Sequence, residues 1–298
     1  MSDKTTAAAK NTPLFLSLVK LMRPKQWVKQ IFFFAALLFS GNLLHIDLLA
    51  LTILGCILFS LTSSSVYVLN DICDREKDRA HPKKCHRPVA SGAVKVPLAV
   101  VLLLILLTVS LGGGFYLNIW FGIVLAAYFV FNILYSFWLK HIVILDCICV
   151  SISYVFRVVA GAVLIFCPPS PWIIVCTFFL CLLIAIQKRR GEYKAMEEGK
   201  TEGRKVLQNY SGDVLRDMAV TMGAVTITAY CLYTFQSTTS QWMICTIPFV
   251  IFGLLRYQLL AGKTGLGETP EDILIHDKPM IVCMGLWAIV CLIILYLL

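Results

Sequence analysis

Charge is what this 298-residue sequence has least of: 14% of its residues are Asp, Glu, Lys or Arg, where a soluble domain carries about 25%. With 59% hydrophobic residues and a mean hydropathy of +0.81, that shortage excludes an ordinary soluble globular domain. Acidic residues are the scarcer sign, 17 against 26 Lys and Arg. The resulting net charge of +9 reads as membrane orientation and attraction to anionic lipid, with no nucleic-acid partner expected. A cleavable signal pattern is also missing. The first twelve residues are polar, and the apolar stretch after them is broken by Lys20, Arg23 and Lys25. Residues 1–12 are therefore expected to form a disordered tail, and 13–298 a single transmembrane domain. A disulfide framework is not indicated, although there are 12 cysteines. Most of them (Cys56, Cys147, Cys149, Cys176, Cys181, Cys231, Cys245, Cys283, Cys291) lie inside apolar runs and serve as small hydrophobes. Cys73, His81, Cys85 and His86 lack the spacing of any standard zinc site.

What the sequence has in abundance is apolar runs of roughly 20 residues. They predict an all-α membrane bundle of nine transmembrane helices at about 27–45, 47–68, 97–116, 119–138, 142–166, 171–187, 216–235, 242–258 and 279–298. Asp47 is expected to cap the second, and Ser170-Pro171 to open the sixth with a cap and a first-turn proline. Residues 14–22 read as a short interfacial helix leading into Trp27. Loops 69–96, 139–141, 188–215 and 259–278 and the N-terminal segment hold almost all the Lys and Arg, and the alternate connections hold none. This bias predicts a multi-pass protein of the inner (plasma) membrane, with its N-terminal segment cytosolic and its C-terminal end on the opposite side. A transporter would place its polar residues at mid-membrane in broken helices, whereas here they gather in the cytosolic loops. Arg157 is the exception: it lies well inside the fifth span and shares a helix face with Asp146 and Ser153. It reads either as a functional cation or as a structural residue, in an Asp146–Arg157 orientation pair or a packing network.

The chemistry concentrates in Asn70-Asp71-Ile72-Cys73-Asp74-Arg75-Glu76-Lys77-Asp78. On a helix, Asp71, Asp74 and Asp78 fall within about 80° of one another, while Glu76 points elsewhere. Three like charges on one face repel, and a divalent cation removes the repulsion. Mg²⁺ suits a few carboxylates completed by water and phosphate oxygens. Alternatively, the segment is a charged loop balanced by Arg75, Lys77 and Arg79. The basic, proline-punctuated stretch His81–Gly92 that follows is suited to phosphate oxygens.

Asn-Asp-x-x-Asp-x-x-x-Asp followed by Arg-Pro-x-x-Ser-Gly resembles the first signature of the UbiA superfamily of intramembrane prenyltransferases. That resemblance implies a UbiA-type helical bundle with cytosolic cap loops, and an enzyme in which two acidic motifs hold a Mg²⁺-bound diphosphate. Where the second motif is expected, this chain has the basic stretch Gln187-Lys188-Arg189-Arg190-Gly191-Glu192-Tyr193-Lys194, an anion-binding surface in place of half a metal cage. Together with Arg23–Lys29, the His81–Arg87 loop, Tyr135 with Lys140, and Gly267–Asp272 with Asp277, it is similar to a subgroup, the decaprenyl-phosphate phosphoribosyltransferases. The similarity implies transfer of 5-phosphoribose from phosphoribosyl diphosphate to a polyprenyl phosphate. It gives Asn70, Asp71, Asp74 and Asp78 the catalytic role, with the three aspartates as Mg²⁺ ligands. Lys25, Lys29, Lys83, Arg87, Tyr135, Lys140, Arg157, Lys188, Arg189 and Arg190 become candidate phosphate-binding residues. Three simpler readings stay open: a conventional isoprenyl transferase using Glu192, Glu197 and Glu198, a non-enzymatic lipid-phosphate carrier, and a positive-inside anchor at Lys188–Arg190.

Overall fold

The structure, a computed structural model, describes residues 13–80, 84–199, 205–236, 241–263 and 276–297. Among the described residues every regular element is helical, and eight stretches are long and apolar enough to cross a membrane. They correspond one to one to the expected second to ninth spans, with ends within about five residues except at one C-terminal end described below. The expected tail at 1–12 lies outside the described residues. The chain divides into two compact units: Met1–Ser136 with Phe156–Pro168, and Phe137–Val155 with Pro169–Leu298.

In the first unit, α1 (Leu14–Met22) is the expected short helix, with Phe15 exposed and Leu21 buried. It ends at Arg23, which turns left-handed (φ 54°, ψ 58°) and donates its N–H to the Lys20 carbonyl. This is a helix-ending turn usually given to glycine, and Pro24 directly after it prevents continuation. The first expected span then departs from prediction. Pro24–Phe34 is an 11-residue 3₁₀ helix, followed by the short α2 (Ala35–Phe39). The tighter helix rises about 2.0 Å per residue, so the two pieces reach roughly 30 Å, the thickness of a hydrocarbon core. Side chains three apart eclipse in a 3₁₀ helix, and burial follows that period. Gln30 and Phe33 are buried, whereas Lys25, Val28 and Ile31 are exposed. Trp27 stands on the buried edge and donates Nε1–H to Ser64 Oγ at 3.0 Å.

α3 (Ile46–Cys73) has 28 residues, about 42 Å, and so overshoots the apolar core and carries its last turn out of it. His45 is the N-cap and no side chain caps the helix. Asp47 sits two positions past that cap, and it helps only as a first-turn acid. Buried Thr52, Ser60, Thr62 and Ser65 return their hydroxyls to carbonyls three or four residues back, which keeps polar atoms satisfied inside an apolar span. α3 continues almost directly into α4 (Arg75–Ala80) and packs along α5 (Val96–Leu117), which leads to α6 (Ile119–Phe137). The last nine residues of α7 (Leu145–Leu164) complete the unit. Gly161 lies on the 3₁₀ segment so closely that a Cβ would overlap the Phe33 carbonyl oxygen. Phe33, Phe59, Phe121, Leu125 and Leu164 form the core here.

The second unit holds the start of α7, then α8 (Pro171–Glu197), α9 (Gly212–Phe235), α10 (Ile247–Lys263) and α11 (Lys278–Leu297). Ser170 caps α8 by accepting the Trp172 N–H, with Pro171 in the first turn, as the sequence indicates. α8 runs 27 residues and continues ten past the expected end of its span. α9 packs along α8, and α11 along α10, around Leu183, Ile186, Leu207, Leu215 and Tyr257.

Candidate functional site

The acidic segment straddles the junction of α3 and α4. The sequence places its three aspartates on one helix, but α3 closes at Cys73 and Asp74 is the C-cap (φ −90°, ψ 7°). The hydrogen-bond ladder survives the kink: Asp74 N–H reaches Asn70 O at 2.9 Å and Asp78 N–H reaches Asp74 O at 2.8 Å. Asp71 and Asp78 are 2% and 4% exposed, Asn70 and Asp74 are half-buried, and Glu76 faces outward as its spacing requires.

Two arginines hold the buried carboxylates. Arg23 donates to Asp71 Oδ1 at 2.5 Å and lies 4.9 Å from the Tyr67 ring centroid. Arg87 Nη1 stands between the two aspartates, 2.6 Å from Asp78 Oδ2 and 3.3 Å from Asp71 Oδ1. Arg87 sits on a fixed turn. Its carbonyl accepts Ser91 N–H, Val89 and Ala90 are buried, and Arg79 Nε reaches back to the Ala90 carbonyl. Among the described residues no three Asp, Glu, His or Cys side chains converge as an ion cage. The point where Asp71 and Asp78 come together is nonetheless a cation position, and a guanidinium nitrogen stands in it. Two buried carboxylates meeting one positive group are a donor set into which a divalent cation fits. Lys83, with His81 and Pro82, lies outside the described residues, as does Gly267–Asp272.

Elsewhere in the first unit, Arg157 is 3% exposed. Its Nε donates to Gln30 Oε1 at 3.0 Å and its Nη2 to the Tyr128 hydroxyl at 3.2 Å, and it lies over the Phe59 and Tyr128 rings at 5.5 and 5.4 Å. Lys25 is exposed on the 3₁₀ segment, while Lys29 and, on α6, Tyr135 are half-buried.

In the second unit, the pairing weighed between Asp146 and Arg157 gives way to another. Asp146 is fully buried and accepts Arg189 Nε at 2.6 Å on Oδ2 and the Tyr210 hydroxyl at 3.3 Å on Oδ1. Arg189 Nη1 also meets Glu192 Oε2 at 2.7 Å. Arg189 therefore points inward, whereas its neighbours Lys188 and Arg190 are partly exposed. Tyr210 accepts the N–H of Ile144 at 2.6 Å; burial is the main cause that pushes its hydroxyl pKa up to about 12. Ile144 is left-handed (φ 69°), a strained state for a β-branched residue, and this bond holds it there. Lys140 lies on the short turn Leu139–His141. Asp277 accepts Arg256 Nε and Nη2 at 2.6 and 2.8 Å and caps α11 through Met280 N–H. The Arg256 guanidinium holds its carboxyl below the usual range. No local pattern points to Gln30 or Tyr210, whose partners are more than 60 residues away in the chain. Arg23 could have been found as the one arginine of the basic segment that opens the first span.

A family model described as the UbiA prenyltransferase family matches residues 30–267, and so takes in the acidic junction, Arg87 and the α8 basic run. The chain belongs to the UbiA prenyltransferase family. It is 32% identical to a decaprenyl-phosphate phosphoribosyltransferase of Mycobacterium tuberculosis over 272 residues, covering 89% of each chain. It is also 31% identical to the one from Mycolicibacterium smegmatis, covering 96% of this chain and 94% of that one. The fold is that of a UbiA homolog from Archaeoglobus fulgidus solved with GPP and Mg²⁺ (TM-score 0.71, 18% identity, 94% and 99% of the two chains). A digeranylgeranylglyceryl phosphate synthase gives a TM-score of 0.67 at 18% identity, covering 94% of this chain and 98% of that one. This UbiA-family protein is thus a multi-pass membrane enzyme of the transferase class.

Proposed function

We propose that the enzyme transfers 5-phosphoribose from phosphoribosyl diphosphate to a polyprenyl phosphate and releases diphosphate, with Mg²⁺ as its ion. The supporting observation is the pair of buried carboxylates, Asp71 and Asp78, meeting at one cation position beside Arg23 and Arg87. This happens in a chain whose relatives over nine-tenths of its length are named for phosphoribosyl transfer to decaprenyl phosphate.

In this reading Asp71, Asp74 and Asp78 hold the ion, and Asn70 lies beside them. Bound there, Mg²⁺ neutralises the charge that builds on the departing diphosphate. Arg23 and Arg87 give forked N–H donors to its oxygens. The bond from the ribose anomeric carbon to the diphosphate oxygen breaks, and the electron pair leaves with the diphosphate. A lipid phosphate oxygen forms the new bond on the opposite face. That phosphate has a second pKa near 6 and is largely dianionic at neutral pH, so the chain need not supply a general base. Lys188 and Arg190 are proposed anion ligands, as are Lys25, Lys29 and Lys140. Arg157, deep among neutral partners, helps to hold the first unit together through Gln30 and Tyr128. We place the enzyme in the inner (plasma) membrane with its basic loops cytosolic.

Isoprenyl transfer would need Glu192, Glu197 and Glu198 to replace a second acidic motif, in a helix segment that also carries Lys188, Arg189 and Arg190, with Glu192 paired to Arg189. Membranes containing the protein, given Mg²⁺, labelled phosphoribosyl diphosphate and polyprenyl phosphate, are expected to form an acid-labile labelled lipid. Asp74→Ala should lower that rate at least 100-fold with the amount of folded protein unchanged. Consumption of isoprenyl diphosphate without a labelled phosphoribosyl lipid would sink the proposal, as would full activity of the variant.

A further inference from the structure

We propose that Arg23 and Arg87 are exchange residues that make metal binding conditional on diphosphate. In the resting enzyme they occupy the carboxylates, and ion and diphosphate displace them together. This rests on the donor reading given above.

The asymmetry of burial identifies the moving partners. The Asp71 and Asp78 side chains are 2% and 5% exposed, whereas those of Arg23 and Arg87 are 28% and 29% exposed. The carboxylates are fixed in protein, and the guanidiniums reach them from the more open side. The backbones of both arginines are also fixed. Arg23 is locked between the end of α1 and Pro24, and Arg87 lies on the turn tied down by Arg79. Exchange therefore confines itself to the two side chains.

A divalent ion arriving alone must take the position of Arg87 Nη1 between Asp71 and Asp78. It then leaves Arg23 and Arg87 crowded against an added positive charge, with their carboxylate partners taken. Charges in a poorly solvated site interact strongly, and a deprived ion is costly there. A diphosphate that comes with the metal removes that cost, because its oxygens offer each guanidinium a forked partner a short swing away. The same four residues thus give a closed pairing in the resting state (Asp–Arg) and another in the loaded state (Asp–metal, Arg–diphosphate). The arginines are positioning residues: they keep the acidic junction charge-balanced until the donor arrives and prevent the ion from occupying it unproductively.

The test is equilibrium dialysis of the purified full chain in detergent against radiolabelled Mn²⁺, with and without inorganic diphosphate. Wild type is expected to bind Mn²⁺ alone at least tenfold more weakly than with diphosphate. Arg87→Gln should bind Mn²⁺ alone at least tenfold more tightly than wild type and lose most of the diphosphate effect. Arg23→Gln, which leaves the Arg87 bridge in place, should change in the same direction by less, and it carries the test if Arg87→Gln does not fold. Equal wild-type affinity with and without diphosphate overturns the exchange while leaving the metal assignment intact. So does Mn²⁺ binding to Arg87→Gln that is no tighter than to wild type. No Mn²⁺ retained under either condition overturns the metal–diphosphate reading itself.

Discussion

Asp146 has no access to water, and its charge is matched by Arg189 and by the Tyr210 hydroxyl. Removing one partner of such a buried pair leaves the other uncompensated, at a cost of about 3–5 kcal/mol. Asp146→Ala is therefore expected to lower the thermal midpoint of the purified protein in detergent by many degrees, whereas Lys188→Ala, next to Arg189 in the chain but partly exposed, should change it little. An unchanged midpoint for Asp146→Ala would dismiss the clamp. The sequence shows three consecutive cations here and invites treating them as one surface. It misleads because the expected span stops at residue 187, while α8 runs on through all three. Successive residues on a helix point about 100° apart, so one of the three must face inward, and Arg189 does. Its buried partner Asp146 lies 43 residues away in the chain, and no local spacing announces it.

At the scale of elements, the junction of α3 and α4 and the 3₁₀ segment do most to shape the first unit. The carboxylate spacing of three and four was readable as one face, but the kink at Asp74 was not, since no Gly or Pro marks it. The 3₁₀ segment was hidden for a related reason. The edge it turns inward at three-residue spacing mixes Trp27 and Phe33 with polar Gln30, while apolar Val28 and Ile31 stay exposed, so hydropathy does not disclose the period. Its contact with α7 depends on Gly161. A methyl group at this position meets a backbone carbonyl, which cannot move aside as a side-chain tip could. Overpacking of this kind costs about 1–3 kcal/mol. Gly161→Ala is expected to lower the thermal midpoint by several degrees, and Gly285→Ala, where nothing lies within 4 Å, to leave it unchanged or raise it. Equal effects at the two sites would refute the close approach.

For the whole molecule, the loops alternate between basic and uncharged from one end of the sequence to the other. That alternation stays consistent only if the stretch around Pro24–Phe39 crosses the membrane in addition to the eight apolar helices. Expressed in a bacterium, alkaline phosphatase fused after Leu298 is expected to be active, and the same enzyme inserted after Gly199 inactive. The reverse pattern would overturn the proposed orientation. A crossing made with a period of three also counts its residues strictly. One residue more or fewer within Pro24–Phe34 rotates everything beyond it by about 120°. After a deletion the edge that carries Val28 and Ile31, and after an insertion the edge that carries Lys29 and Phe32, would stand where Gln30 and Phe33 now meet Arg157 and Gly161. Insertions and deletions that a surface loop would absorb are therefore barred from this segment, and its length should be among the least variable features of the fold.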